Sequence, residues 1–135
     1  MSRRDARDVA FKLIFEFTFT KENKDFLIDE YSLELNLDGD DMSYIKEVYF
    51  GVISHYDELI QDISKYAENF SVDRIYKVDL ALLLLAIYEI KYMEKIPFKV
   101  SVNEVIGLAK KYSTEKSVKY LNGVLSNFAG DRWKI

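Results

Sequence analysis

Asp79-Leu80-Ala81-Leu82-Leu83-Leu84-Leu85-Ala86-Ile87 decides the fold of this chain. Leucine and alanine are strong helix formers, and wound at helical pitch the segment is apolar on every face. Such a helix is stable in water only when other helices surround it, so it is the central element of a bundle. Its unbroken apolar run, Leu80 to Ile87, is eight residues long, well short of a membrane span.

Outward from this helix, apolar residues recur at helical spacing in both directions, and no long run alternates as a strand would. The pattern predicts an all-α protein, a compact bundle of six to seven helices. They run from Arg3 to Phe19, Lys24 to Leu35, Met42 to about Tyr56, Asp57 to Asn69, Val72 or Asp73 to Met93, Ser101 to Tyr112, and Ser113 or Thr114 to near Gly130. Asp40 or Asp41 caps the third, Ser71 the fifth, and Ser101-Val102-Asn103-Glu104 reads as a capping box after the Pro97 break. Short connections make consecutive helices antiparallel neighbours. The turn Asn36-Leu37-Asp38-Gly39-Asp40 is the one composition break. It divides the bundle into two small sub-bundles within a single domain, residues 1–135.

Composition removes whole classes of chemistry. With no cysteine there is no disulfide framework, thiolate metal site or cysteine nucleophile, and a reducing cytoplasm is the expected location. The lone histidine, His55, sits in an ordinary amphipathic stretch and is expected to be structural. Five glycines form no phosphate-cradling loop, and the acid pairs Asp40-Asp41 and Glu22 with Asp25 fall where helix starts favour acids, so neither cofactor nor metal is expected. Glu89, among apolar neighbours, needs a structural partner, Lys or Arg. The start, Met1-Ser2-Arg3-Arg4-Asp5, leads into an amphipathic stretch rather than a signal-peptide apolar block.

Charge is unevenly distributed: residues 1–12 carry +2, residues 13–74 carry −10 and residues 75–135 carry +4. If the two ends meet, they form a basic patch on an acidic body. On the first helix Ala6, Val9, Ala10, Leu13 and Phe17 form the core stripe, while Arg3, Arg4, Arg7, Phe11 and Phe15 share an adjoining side. Arginines interleaved with aromatics suit single-stranded nucleic acid, through phosphate forks and base stacking. A second packing face is the competing reading. On the last helix Val118, Leu121, Leu125 and Phe128 are core, and Lys116, Lys119, Tyr120, Gly123 and Asn127 lie opposite. Gly123 costs about 1 kcal/mol against alanine there, which points to a close approach by backbone or ligand.

Several segments in order, Arg3-Arg4-Asp5-Ala6-Arg7, Val78-Asp79, Leu85-Ala86-Ile87-Tyr88-Glu89-Ile90, Ile96-Pro97-Phe98-Lys99-Val100, Val102-Asn103-Glu104, Leu108-Ala109-Lys110 and Tyr120-Leu121-Asn122-Gly123-Val124-Leu125, resemble the NusB family. The likeness covers essentially the whole chain and is strongest from about Phe70 onward. It implies two small helical bundles and a non-enzymatic transcription antitermination factor. With the small-subunit ribosomal protein NusE, such a factor binds the boxA element of nascent ribosomal RNA and joins elongating RNA polymerase.

Residue by residue, the resemblance assigns RNA contact to Arg3, Arg4, Arg7 and Tyr120, with Lys116 and Lys119 as neighbours. Asp73, Arg74 and Asp79 are the candidates for contact with the protein partner. Asp5 interrupts the basic run, Phe15 stands where the family commonly has tyrosine, and Leu84 replaces a common arginine. A thinner positive face predicts weaker RNA binding alone and greater reliance on the partner. The alternative is a helical protein-interaction module or homodimer that uses this face for self-association.

Overall fold

A computed structural model describes residues 3–67 and 71–132, and among these there are seven α-helices and no strand. They are α1 (Arg3–Thr20), α2 (Phe26–Leu35), α3 (Gly39–Ser54), α4 (Tyr56–Tyr66), α5 (Lys77–Tyr92), α6 (Phe98–Tyr112) and α7 (Glu115–Arg132). The expected end of the fourth helix at Asn69 lies outside the described residues. The all-apolar segment is the centre: every residue of α5 from Asp79 to Ile90 is buried. Around it pack α1, α3, α4, α6 and α7, while α2 lies on α3. One cluster of buried apolar side chains reaches from Ala6 in α1 to Phe128 in α7. None of the described helices is long and apolar enough to cross a membrane.

Three helix starts differ from the sequence reading, each for a local reason. Asp38, not Asp40 or Asp41, caps α3, its carboxylate accepting the Asp41 N–H at 2.8 Å. The fifth helix is not continuous from Val72. A 3-10 turn over Val72–Arg74 ends at Ile75, whose extended backbone turns its side chain into the core before α5 begins. The capping box is not formed, because α6 starts one turn earlier, directly after Pro97. Ser101 is therefore inside the helix, and its hydroxyl is drawn inward to Glu89. At α7 the expected cap is present: Thr114 Oγ1 accepts the Ser117 N–H at 3.0 Å.

Where α3 meets α5, Gly51 gives the Tyr88 ring its room, since a Cβ at Gly51 would lie 2.2 Å from that ring. Tyr88 continues into a stack with Tyr92 and His55, the residue at which α3 ends and α4 begins. His55 is thus structural in its contacts. Beside it Glu58 accepts from Lys91 and from the Tyr92 hydroxyl, and these two bonds, Lys91's first, hold its carboxyl down to about 2. A carboxylate lowered on folding stabilises the fold above its ordinary pKa of 4.5 and loses that contribution as pH falls toward about 2. Glu58→Gln should therefore lower the urea midpoint at pH 6 and have little effect near pH 2. A difference that stays constant across that range would remove Glu58 from the acid limb.

Candidate nucleic-acid interface

The two basic regions named from sequence lie at the two ends of one strip along α6. Arg4 at the start of α1 reaches α6 through Glu104, and Asp8, one turn further, reaches Lys111 and Tyr112. Glu104 and Lys111 are two turns apart, about 10 Å along the axis. Beyond Tyr112 the chain turns at Ser113 into α7, where Lys116 and Lys119 are exposed and Tyr120 is half-buried. The strip thus runs from Arg3 and Arg4, past Lys110 and Lys111, to Lys116, Lys119 and Tyr120.

Arg7 is almost wholly withdrawn beneath that surface. It is 4% exposed, and its guanidinium forks onto Glu89, Nε to Oε2 at 2.9 Å and Nη2 to Oε1 at 3.1 Å. The same carboxylate accepts the Tyr44 hydroxyl, and the Ser101 hydroxyl at 2.7 Å. Four bonds therefore satisfy a fully buried Glu89, and they tie α1, α3 and α6 to α5. Burial pulls the Arg7 guanidinium down, but the Glu89 bonds and charge outweigh it and hold it above its ordinary value. Burial and the Glu89 charge push the Tyr44 hydroxyl far up, so it stays a donor. Arg7 is the structural partner that Glu89 required, and its assignment to RNA contact is corrected on that ground.

The aromatic side of α1 is likewise a second packing face. Phe11 is 3% exposed and stacks on Tyr112, with ring centroids 5.1 Å apart, while Phe15 bridges Phe11 to the exposed Phe19. Of the three arginines, Arg3 and Arg4 remain at the surface. Arg3 lies over the Tyr44 ring at 4.6 Å with Asp41 at 3.8 Å, and Arg4 bonds both Glu104 oxygens at 3.1 Å.

At the other end the structure joins residues that sequence had separated. Arg74, Ile75, Tyr76, Asp79, Thr114, Lys116, Ser117 and Tyr120 line one cleft of about 430 Å³. Asp79, expected to touch a partner, is only 3% exposed and commits its two oxygens to the Ser113 and Ser117 hydroxyls at 2.8 and 2.7 Å. It thereby fixes the start of α7 and so the position of Lys116 and Tyr120. Asp73 and Arg74 are exposed. Tyr120 is turned partly inward, its hydroxyl 3.4 Å from the Ala67 carbonyl. Gly123 is exposed, and among the described residues no side chain approaches the space a Cβ would fill. Sequence reasoning missed Tyr76, 71% exposed at this cleft, because it fell within a helix assumed to be continuous. Lys111 was missed as well, although the Lys110-Lys111-Tyr112 triplet at a helix end was a legible signal.

The NusB family model matches residues 4–130. The transcription antitermination protein NusB of Natranaerobius thermophilus is 40% identical over 134 residues, covering 96% of this chain and 95% of that protein. The corresponding protein of Acetivibrio thermocellus is 39% identical over 125 residues, covering 93% and 86%. Among solved structures, T. maritima NusB superposes with a TM-score of 0.87 at 31% identity, covering 97% of this chain and 92% of that one. A crystal structure of antitermination factors NusB and NusE in complex with dsRNA superposes at 0.85 with 29% identity, covering 96% of both chains. In sequence and in fold, the chain belongs to the NusB family of transcription antitermination proteins, a non-enzymatic family.

Proposed function

We propose that this protein acts in the cytoplasm as a single RNA-binding domain that pairs with a NusE ribosomal protein on boxA RNA of nascent ribosomal transcripts. In that state it joins elongating RNA polymerase and suppresses premature termination. The observation that carries the reading is the cleft in which Lys116 stands beside two tyrosines, Tyr76 and Tyr120. Ammonium and guanidinium groups bind phosphate, and tyrosine rings stack on unpaired bases. Lys110 on α6, Lys119 on α7, and Arg3 and Arg4 on α1 extend this chemistry. The exposed Asp73 and Arg74, in the 3-10 turn before α5, are the proposed contacts to the protein partner, with Asp79 acting indirectly by fixing the start of α7. The solved NusB–NusE pair with RNA supports the choice of partner.

Fluorescence anisotropy of a labelled boxA-like RNA and a scrambled control, with and without the ribosomal-protein partner, tests the reading at two salt concentrations. The partner should sharpen a preference for the boxA-like RNA. Affinity should fall with salt at a log–log slope of about −0.7 per phosphate neutralised. Absence of binding to either RNA under all conditions would sink it, and salt-insensitive self-association would favour the homodimer instead.

A further inference from the structure

The cations at the two ends of the strip differ in one respect. Among the described residues no ion pair engages Lys110, Lys116 or Lys119, whereas the exposed cations of the α1 end face carboxylates. Arg3 has Asp41, Arg4 has both oxygens of Glu104, and Lys12 and Lys111 share Asp8 at 3.5 and 2.7 Å. Between α1 and α6 these groups line a cleft of about 380 Å³, with Arg4, Arg7 and Lys111 facing Asp5, Asp8 and Glu104, formally neutral. On its α6 wall Gly107 presents bare backbone, with nothing within 4 Å of where a Cβ would stand.

Asp8 is not a casual surface acid. The Tyr112 hydroxyl donates to both its oxygens, at 2.7 and 3.0 Å, and the Tyr112 ring is stacked on buried Phe11. When Lys111 swings away, the carboxylate therefore remains. Glu104 is held from behind by Arg7, 3.7 Å away. A phosphate entering this cleft exchanges one charge-assisted bond for another and then faces a fixed carboxylate, so backbone contact alone gains little. A nucleotide whose base edge or ribose hydroxyl also donates to Asp8 or Glu104 satisfies both signs at once.

We propose that Asp8 and Glu104 are specificity-determining residues: their cleft accepts a nucleotide that offers a phosphate and a hydrogen-bond donor together, and discriminates against binding through phosphate alone. The proposal rests on the RNA-binding reading above. The unpaired lysines of α7 then supply sequence-independent attraction, and the paired cations of α1 and α6 supply selection.

Asp8→Asn and Glu104→Gln, each compared with the unaltered protein on the same two RNAs between 50 and 200 mM salt, provide the test. Each variant should bind the scrambled RNA about threefold tighter or better at low salt, with a slope steeper by about 0.7 per cation released. The preference for the boxA-like RNA should fall by a similar factor. The amide introduced by Asp8→Asn can still accept from Tyr112 and lies outside the Arg7–Glu89 network, so this variant keeps the test valid if Glu104→Gln melts early. If the unaltered protein prefers the boxA-like RNA and Asp8→Asn leaves affinity, slope and preference unchanged, the proposal is overturned while the RNA-binding reading stands. If neither RNA is bound by any of the three proteins, both fall.

Discussion

Arg7→Ala should cost about 3–5 kcal/mol of folding free energy, a large fraction of the roughly 5–15 kcal/mol typical of a domain this size. Removing the guanidinium leaves the Glu89 carboxylate at the centre of the molecule with only the Tyr44 and Ser101 hydroxyls to offset its charge. Both oxygens were oriented by a planar fork, so Arg7→Lys, which offers one point charge, should recover only part of the loss. Glu89→Ala leaves the complementary orphan, a buried guanidinium with Glu104 3.7 Å away as its remaining carboxylate, and should be comparably damaging. Replacing both residues together, Arg7→Met with Glu89→Leu, removes the unpaired charge and should recover much of the stability. Urea unfolding of the four variants measures this. A loss below about 1 kcal/mol for Arg7→Ala would mean that water reaches the pair, contrary to its burial in the fold. Wherever an Arg7 variant remains folded, any change in its RNA binding should be no larger than that of Glu104→Gln, because Arg7 reaches the α1–α6 cleft chiefly through Glu104.

That expectation reverses the role the sequence assigned to Arg7, and the reason is physical. A helical wheel places Arg3, Arg4 and Arg7 on one side but cannot say how many neighbours the helix has. With α3, α5 and α6 all around α1, the side carrying Arg7 and Phe11 becomes interior one turn after the exposed Arg3 and Arg4. The need was legible from the other partner: a glutamate in the middle of Leu85-Ala86-Ile87-Tyr88-Glu89-Ile90 demands a cation. What was not legible was which one, because the pair is separated by most of the chain. The same long-range demand explains the missed start of α6. Ser101 and Glu104 have the spacing of a local cap, but the buried Glu89 competes for the serine and the α1 arginines for the glutamate. Helix existence, the central burial of α5 and the Thr114 cap depend on local pattern alone, and those were readable.

Tyr120 makes the sharper test of the interface, because packing and stacking pull its substitutions apart. The ring covers the core at the start of α7 while its other side lines the cleft with Arg74, Tyr76 and Lys116. Tyr120→Ala removes both functions. RNA binding should weaken by about 1–3 kcal/mol, the range for one lost base stack, and stability should fall by less than the roughly 3–5 kcal/mol of a fully buried ring. Such a loss by itself would not separate a damaged α7 from a lost contact. Tyr120→Leu does, since an aliphatic side chain still covers the core but offers no flat face to a base. Its melting temperature should stay within a few degrees of the parent while RNA affinity falls nearly as far as in Tyr120→Ala. Tyr120→Phe keeps the ring and gives up the hydroxyl that reaches the Ala67 carbonyl at 3.4 Å, so base stacking and RNA affinity should be retained. Unchanged affinity in the leucine variant would leave Tyr120 a packing residue and move the stacking role to Tyr76, whose ring is far more exposed at the same cleft.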